Sequence, residues 1–241
     1  MNLVRRATAE AVGTFLLLVA VVGSGIMAER LAGGNVAIVL LANAIATGGA
    51  LVAIIFAFGP VSGAHLNPAV TIFDAWQRGV AWRDVPVYTV AQLVGAIVGV
   101  VIANTMFDLP PIFVSHHIRE GGSQWLGEFV ATFGLVAVIW GCARSRPGST
   151  PFAVAAYIVG AYWFTSSTSF ANPAVTIARS LSDTFAGIRP TDVAPFIGAQ
   201  LAGAAAATAL FAWFAPPSVR AAQAVLVPHA ADRKESEYAL R

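Results

Sequence analysis

Asn67 and Asn172 each open the same six residues, Asn-Pro-Ala-Val-Thr-Ile, at 67–72 and again at 172–177. Asparagine is no nucleophile and no acid or base at neutral pH; its amide offers two N–H donors and a carbonyl acceptor. Pro68 and Pro173 suit the first position of a helix, where the missing N–H has no partner anyway. The asparagine before them is a good cap, its side-chain oxygen accepting from first-turn amides. Each motif therefore predicts a short helix whose open amino end presents neutral donors and about half a positive charge. Such a device holds and passes a neutral polar solute; it does not make or break bonds. No Ser/His/Asp set, paired catalytic carboxylates or phosphate-cradling glycine loop accompanies it, so no enzyme and no cofactor are expected. His116-His117 lack a carboxylate or cysteine partner, and no metal site is assigned to them. Cys142 is the single cysteine, which excludes an internal disulfide.

The elements that must position these motifs are apolar. Of 241 residues, 57% are hydrophobic and 11% charged, with a mean hydropathy of +0.73. A soluble domain carries about 25% charged residues, so this composition predicts an all-α membrane protein. Six runs approach or exceed the roughly 18 residues that cross a bilayer: 7–28, 35–58, 82–107, 125–143, 151–167 and 193–214. The pieces beginning at Asn67 and Asn172 are too short to cross and read as re-entrant half-helices. The first run follows Arg5-Arg6 like a signal peptide, but its length and the lack of an Ala-x-Ala site predict a retained helix.

The two halves repeat one design. Glu10, Thr14 and Phe15 match Glu128, Thr132 and Phe133, and Ala91-Gln92-Leu93 matches Ala199-Gln200-Leu201. Gly95 with Gly99, and Gly203 with Ala207, are small-xxx-small pairs suited to close helix crossings. Each half reads span, span, half-helix, span, with repeats at about 6–107 and 124–214 inside one channel domain at 1–214. Three full spans are an odd number, so the second half inserts inverted relative to the first. The two asparagines then meet head to head near the bilayer midplane, where paired helix dipoles disfavour cations and protons. The residues at 144–150 read as a linker and those at 215–241 as a solvated cytoplasmic tail.

Charge sets the orientation. With a cytoplasmic N-terminus, Arg5, Arg6, Arg78, Arg83, Arg144, Arg146, Arg220, Arg233, Lys234 and Arg241 lie inside, and Arg30, Arg119, Arg179 and Arg189 outside. Positive charge favours the cytoplasmic face, so both termini are expected there, in a plasma (bacterial inner) membrane. The net charge of +2 points to no nucleic-acid partner.

Over 6–214 the chain resembles the aquaporin and aquaglyceroporin family, the major intrinsic proteins. Ser62-Gly63-Ala64-His65-Leu66-Asn67-Pro68-Ala69-Val70-Thr71 is close to that family's first signature. The resemblance implies a homotetramer of right-handed six-helix barrels in the lipid bilayer, each with its own pore for water or small neutral solutes. It implies a central constriction at Asn67, Pro68, Ala69, Asn172, Pro173 and Ala174. It implies that Glu10 and Glu128 hold the re-entrant loops by accepting backbone hydrogen bonds, and that His65 lines the inner approach.

By the family's offsets the selectivity filter falls on Thr47, Gly160, Ser169 and Val175. Most members place an aromatic residue at the first position and an arginine at the last; this chain has neither. The filter is thus expected to be wide and uncharged, passing glycerol-like polyols and metalloid hydroxides as well as water. Asn-Pro-Ala-Val followed by Thr176-Ile177-Ala178-Arg179 resembles a bacterial branch associated with arsenic detoxification, which implies arsenite and methylated arsenicals as solutes. Arg179, about one turn beyond Val175, reads either as a vestibule charge that attracts oxyanionic solutes or as an arginine on a helix C-terminal dipole. Asp74, its counterpart in the first half, reads as a surface charge near the cytoplasmic mouth. The alternatives are a water-dominated pore and, more remotely, a secondary transporter. The second would need ion-coupling groups at the midplane, where only the two asparagines stand.

Overall fold

The computed structural model describes residues 1–214; the tail expected at 215–241, with Arg220, Arg233, Lys234 and Arg241, lies outside the described residues. The described chain is all helical: α1 (Leu3–Leu31), α2 (Val36–Ser62), α3 (Pro68–Trp76), α4 (Val85–Met106), α5 (Gly122–Ser145), α6 (Thr150–Phe164), α7 (Pro173–Arg179) and α8 (Pro190–Phe214). Six long helices and two short ones stand in the expected order. Five are long and apolar enough to cross a membrane. The sixth, α6, has 15 residues and rises only about 22 Å. It stops three residues before the apolar run does, because the chain must turn at Thr165 to deliver Phe170 and Ala171 to Glu128.

The inverted repeat is visible in the packing. α1 packs on α2 and α4, as α5 packs on α6 and α8. Each half-helix then crosses to the other repeat, α3 against α8 and α7 against α4, while α2 meets α6 at the seam. The closest crossings fall on glycine. A Cβ on Gly95 would strike the Ala11 carbonyl of α1, and one on Gly203 the Phe129 carbonyl of α5. Without hydrophobic drive between helices in lipid, such backbone approach supplies the packing.

Sidedness is that of a membrane protein. Leu41, Ile45, Val94, Val98 and Trp163 point outward, while Glu10, Gln92, Glu128 and Gln200 are fully buried. Polar groups at this depth need partners within the protein, because hydrocarbon offers none.

Candidate functional site

Between the two half-helices runs a cavity of about 70 Å³, lined from His65 at one end to Arg179 at the other. That is well above the roughly 10–15 Å³ needed to hold one water. Asn67 and Asn172 both line it. Asn67 caps α3 by accepting from the Ala69 amide at 2.9 Å, and Asn172 caps α7 by accepting from Ala174 at 3.0 Å. Each also reaches into the opposite repeat. Asn67 Nδ2 donates to the Ala171 carbonyl and Asn172 Nδ2 to the Leu66 carbonyl, both at 2.7 Å. One N–H of each amide is therefore committed to joining the halves, leaving one for a solute. Pro68, Ala69, Pro173 and Ala174 are buried but do not line the cavity.

The segments preceding both caps hold left-handed backbone at non-glycine residues: φ is 45° at Ala64, 53° at Leu66, 53° at Ser169 and 51° at Ala171. Each such residue costs about 1–2 kcal/mol. Two carboxylates hold these turns. Glu10 accepts from the His65 amide (2.9 Å), the Leu66 amide (2.6 Å), Ser62 Oγ (2.6 Å) and Gln92 Nε2 (2.7 Å). Glu128 accepts from the Phe170 amide (2.8 Å), the Ala171 amide (2.9 Å) and Gln200 Nε2 (2.6 Å). At about 1.5–3 kcal/mol for each bond to a charged group, these outweigh the backbone strain. The glutamines link on to Thr71 and Thr176, whose hydroxyls return to the Asn67 and Asn172 carbonyls. The sequence comparison found Gln92 and Gln200 only as a repeat; their hydrogen-bonding role needed the contacts.

His65 lines the cavity, with Nδ1 3.1 Å from Thr71 Oγ1 and Nε2 3.7 Å from Asp74. Asp74 is not the surface charge expected from its position. It is 2% exposed, tucked behind His65 and against the chain reversal at Gly79, where a Cβ would collide with its carboxylate.

Toward the other end the cavity is lined by Thr47, Ser169 and Val175, as the offsets suggested, but not by Gly160. A Cβ on Gly160 would instead meet the Phe164 ring at 3.4 Å. Tyr162 takes the place across from Thr47, the two hydroxyls 3.2 Å apart. Two residues along a helix turn about 200°, so counting back from Asn172 through the coil after α6 selects the wrong face. Nor is the lining uncharged or free of aromatic rings, because Tyr162, Phe170 and Arg179 all belong to it. Arg179 ends α7 and is 2% exposed. Its Nε donates to the Ala186 carbonyl, and its guanidinium carbon stands 3.4 Å from the Phe170 ring centre.

Arg119, which the sequence placed only as an outside charge, lies on the same ring at 4.9 Å. Its guanidinium donates to the carbonyls of Gly187 (2.8 Å), Ser167 (3.1 Å) and Phe185 (3.3 Å). Burial, then the nearby Arg179 charge, lowers its pKa to about 9, which leaves it charged at neutral pH. Above these residues the connection between α4 and α5 carries His116, paired with Asp183 at 2.9 Å. The His116 backbone N–H and ring hold the Asp183 carboxyl below its usual range. Partial desolvation, with Arg119 and Arg179 adding to it, pushes His117 down to about 4.

Comparison with known proteins agrees with this architecture. The Major intrinsic protein family profile matches residues 1–168. The chain is 51% identical to the aquaglyceroporin AqpS of Rhizobium meliloti over 90% of its own length and 93% of that protein's. It is 33% identical to the aquaporin NIP2-2 of Zea mays, across 84% and 70% respectively. Among solved structures, the aquaglyceroporin of Plasmodium falciparum shares the fold, with a TM-score of 0.62 at 21% identity, covering 88% of this chain and 95% of that one. With the profile covering residues 1–168 and a relative at 51% identity covering 90% of the chain, the chain belongs to the major intrinsic protein family.

Proposed function

We propose that the protein is a passive, gradient-driven membrane channel for small neutral solutes: water, glycerol-like polyols, and metalloid hydroxides such as arsenite. The observation that carries this reading is the water-sized cavity spanning two opposed half-helix starts, with Asn67 and Asn172 in its wall. Opposed positive dipole ends disfavour a cation there, whereas one free N–H per asparagine suits a hydroxyl oxygen. Arsenious acid at neutral pH is an uncharged trihydroxide, chemically a polyol to such a site. Val175 in place of an arginine leaves room for it beside Thr47 and Ser169. Alternating access finds no ion-coupling residues at the midplane among the described residues, where the two asparagines are bound to each other's repeats.

In this reading both termini are cytoplasmic, the His65 end is the inner mouth, and Arg179 lies at the outer mouth. The family likeness favours a homotetramer with a pore in each subunit. Shrinkage and re-swelling of proteoliposomes in water, glycerol and arsenite gradients tests the reading. Flux is expected to rise linearly with the gradient, and Val175→Arg to reduce glycerol and arsenite more than water. Saturable or ion-dependent flux would instead indicate a carrier.

A further inference from the structure

We propose that Arg179 is the charge-selecting residue of this pore, set one helical turn beyond Val175 and held there by a Phe170–Arg119 stack. The inference rests on the reading of the cavity as the conduction path, and it replaces an uncharged outer filter with a cationic one.

Val175 and Arg179 are four residues apart on α7, so they share a face about 6 Å apart along its axis. Both line the cavity, together with Tyr162 and Ser169. The Arg179 side chain is fixed at two points, Nε on the Ala186 carbonyl and the guanidinium plane over Phe170. Among the described residues its two terminal nitrogens have no hydrogen-bond partner, and they are not sealed off from the cavity. A buried guanidinium with two unclaimed nitrogens at a cavity wall is a donor pair waiting for an oxygen.

Arg119 comes from the connection between the repeats, α4 to α5, and its guanidinium carbon lies 4.9 Å from the Phe170 ring centre. Backbone carbonyls hold its guanidinium. Neither Arg119 nor Arg179 has a carboxylate within salt-bridge distance among the described residues. The stack therefore keeps a net positive charge beside the pore, with Glu128 acting on it only from beyond ion-pair distance, and a cation approaching this end meets it before the asparagines. A neutral hydroxylated solute instead finds the two Arg179 nitrogens and the Tyr162 and Thr47 hydroxyls, with Phe170 and Val175 supplying apolar wall. The position in the first repeat equivalent to Arg179 is Asp74, and to Phe170 is His65, so the same geometry carries opposite charge at the two ends.

The test uses the full chain in proteoliposomes, with water, glycerol, xylitol and methylammonium as probes, comparing wild type with Arg179→Val, Arg179→Lys and the double change Val175→Arg/Arg179→Val. Wild-type passage of water and glycerol tests the channel reading separately. Arg179→Val is expected to raise the xylitol-to-water ratio and the methylammonium leak about tenfold each, a change of about 1.4 kcal/mol in the barrier. Arg179→Lys keeps methylammonium out but loses the wild-type polyol order, because a point charge lacks the planar fork. The double change restores cation exclusion from the neighbouring turn. Arg119→Met moves the ratios as Arg179→Val does, to a smaller extent, and Arg119→Lys partly restores them. Water-conducting Arg179→Val with polyol order and cation leak both unchanged overturns the proposal. If that variant does not fold, an Arg179→Lys protein with an unaltered polyol order overturns it instead.

Discussion

Glu10 and Glu128 do the same work in both halves: each carboxylate collects consecutive amides of a left-handed turn and a glutamine from the next span. A neutral amide in their place would point an N–H at another N–H. Glu10→Gln is therefore expected to cost about 2–4 kcal/mol of stability, the loss of one or two charged hydrogen bonds. Thermal unfolding in detergent measures the loss, and water permeability should fall with it as the loop at 64–66 relaxes. The residues that line this end of the cavity were only partly legible. Thr47, Ser169 and Val175 stand where offset counting put them, because an intact helix or a short fixed turn separates each from its asparagine. Gly160 does not, because an irregular segment at 165–171 intervenes, and Tyr162 faces the cavity in its stead.

Helix crossings decide how the elements stand. The Gly95 and Gly203 contacts leave no room for a Cβ against the facing carbonyl, and overpacking costs about 1–3 kcal/mol or more. Gly203→Val should prise α8 from α5 and lower the monodisperse yield in gel filtration, whereas Gly198→Ala, with open space around it, should not. The outer connection carries a pH signature. His117 has its pKa lowered in the folded protein to about 4 from an ordinary 6.5. A depressed histidine pKa means protonation favours the open form, so the stabilisation is full above about 6.5 and is lost as pH falls toward 4. The depressed Asp183 acts in the same sense but only at lower pH, below its ordinary 3.8. Hydrogen exchange at 107–121, corrected for its intrinsic rate, should quicken between pH 6.5 and 4, and His117→Gln should flatten that rise.

For the whole molecule, the charge bias predicts the orientation. In a Cys142→Ser background, His116→Cys is expected to react with an impermeant maleimide added to intact cells. Arg83→Cys should react only after the membrane is opened; both positions are exposed on the protein. The reverse pattern would turn the channel over and exchange its mouths. The inverted packing, with α3 on α8 and α7 on α4, binds the halves through the asparagine pair. Cutting one cross-repeat bond by Asn172→Ala should therefore lower stability by about 1–3 kcal/mol, the cost of leaving the buried Leu66 carbonyl unpaired, besides changing flux.

The sequence alone determined the class of this protein, its six spans and two half-helices, and the meeting of Asn67 with Asn172. Those conclusions rest on hydrophobic run length, an exact repeat and parity, all of which are properties of the linear chain. Only the tertiary structure decided the character of the Arg179 end of the cavity. Burial turned Asp74 inward behind His65, a two-residue difference in helix phase replaced Gly160 with Tyr162, and Phe170 brought Arg119 and Arg179 to one ring. Arg119 and Phe170 are 51 positions apart, counted from their numbers, one in the connection between the repeats and the other before α7. No local pattern records a contact of that kind, because it depends on how that connection closes over the second repeat.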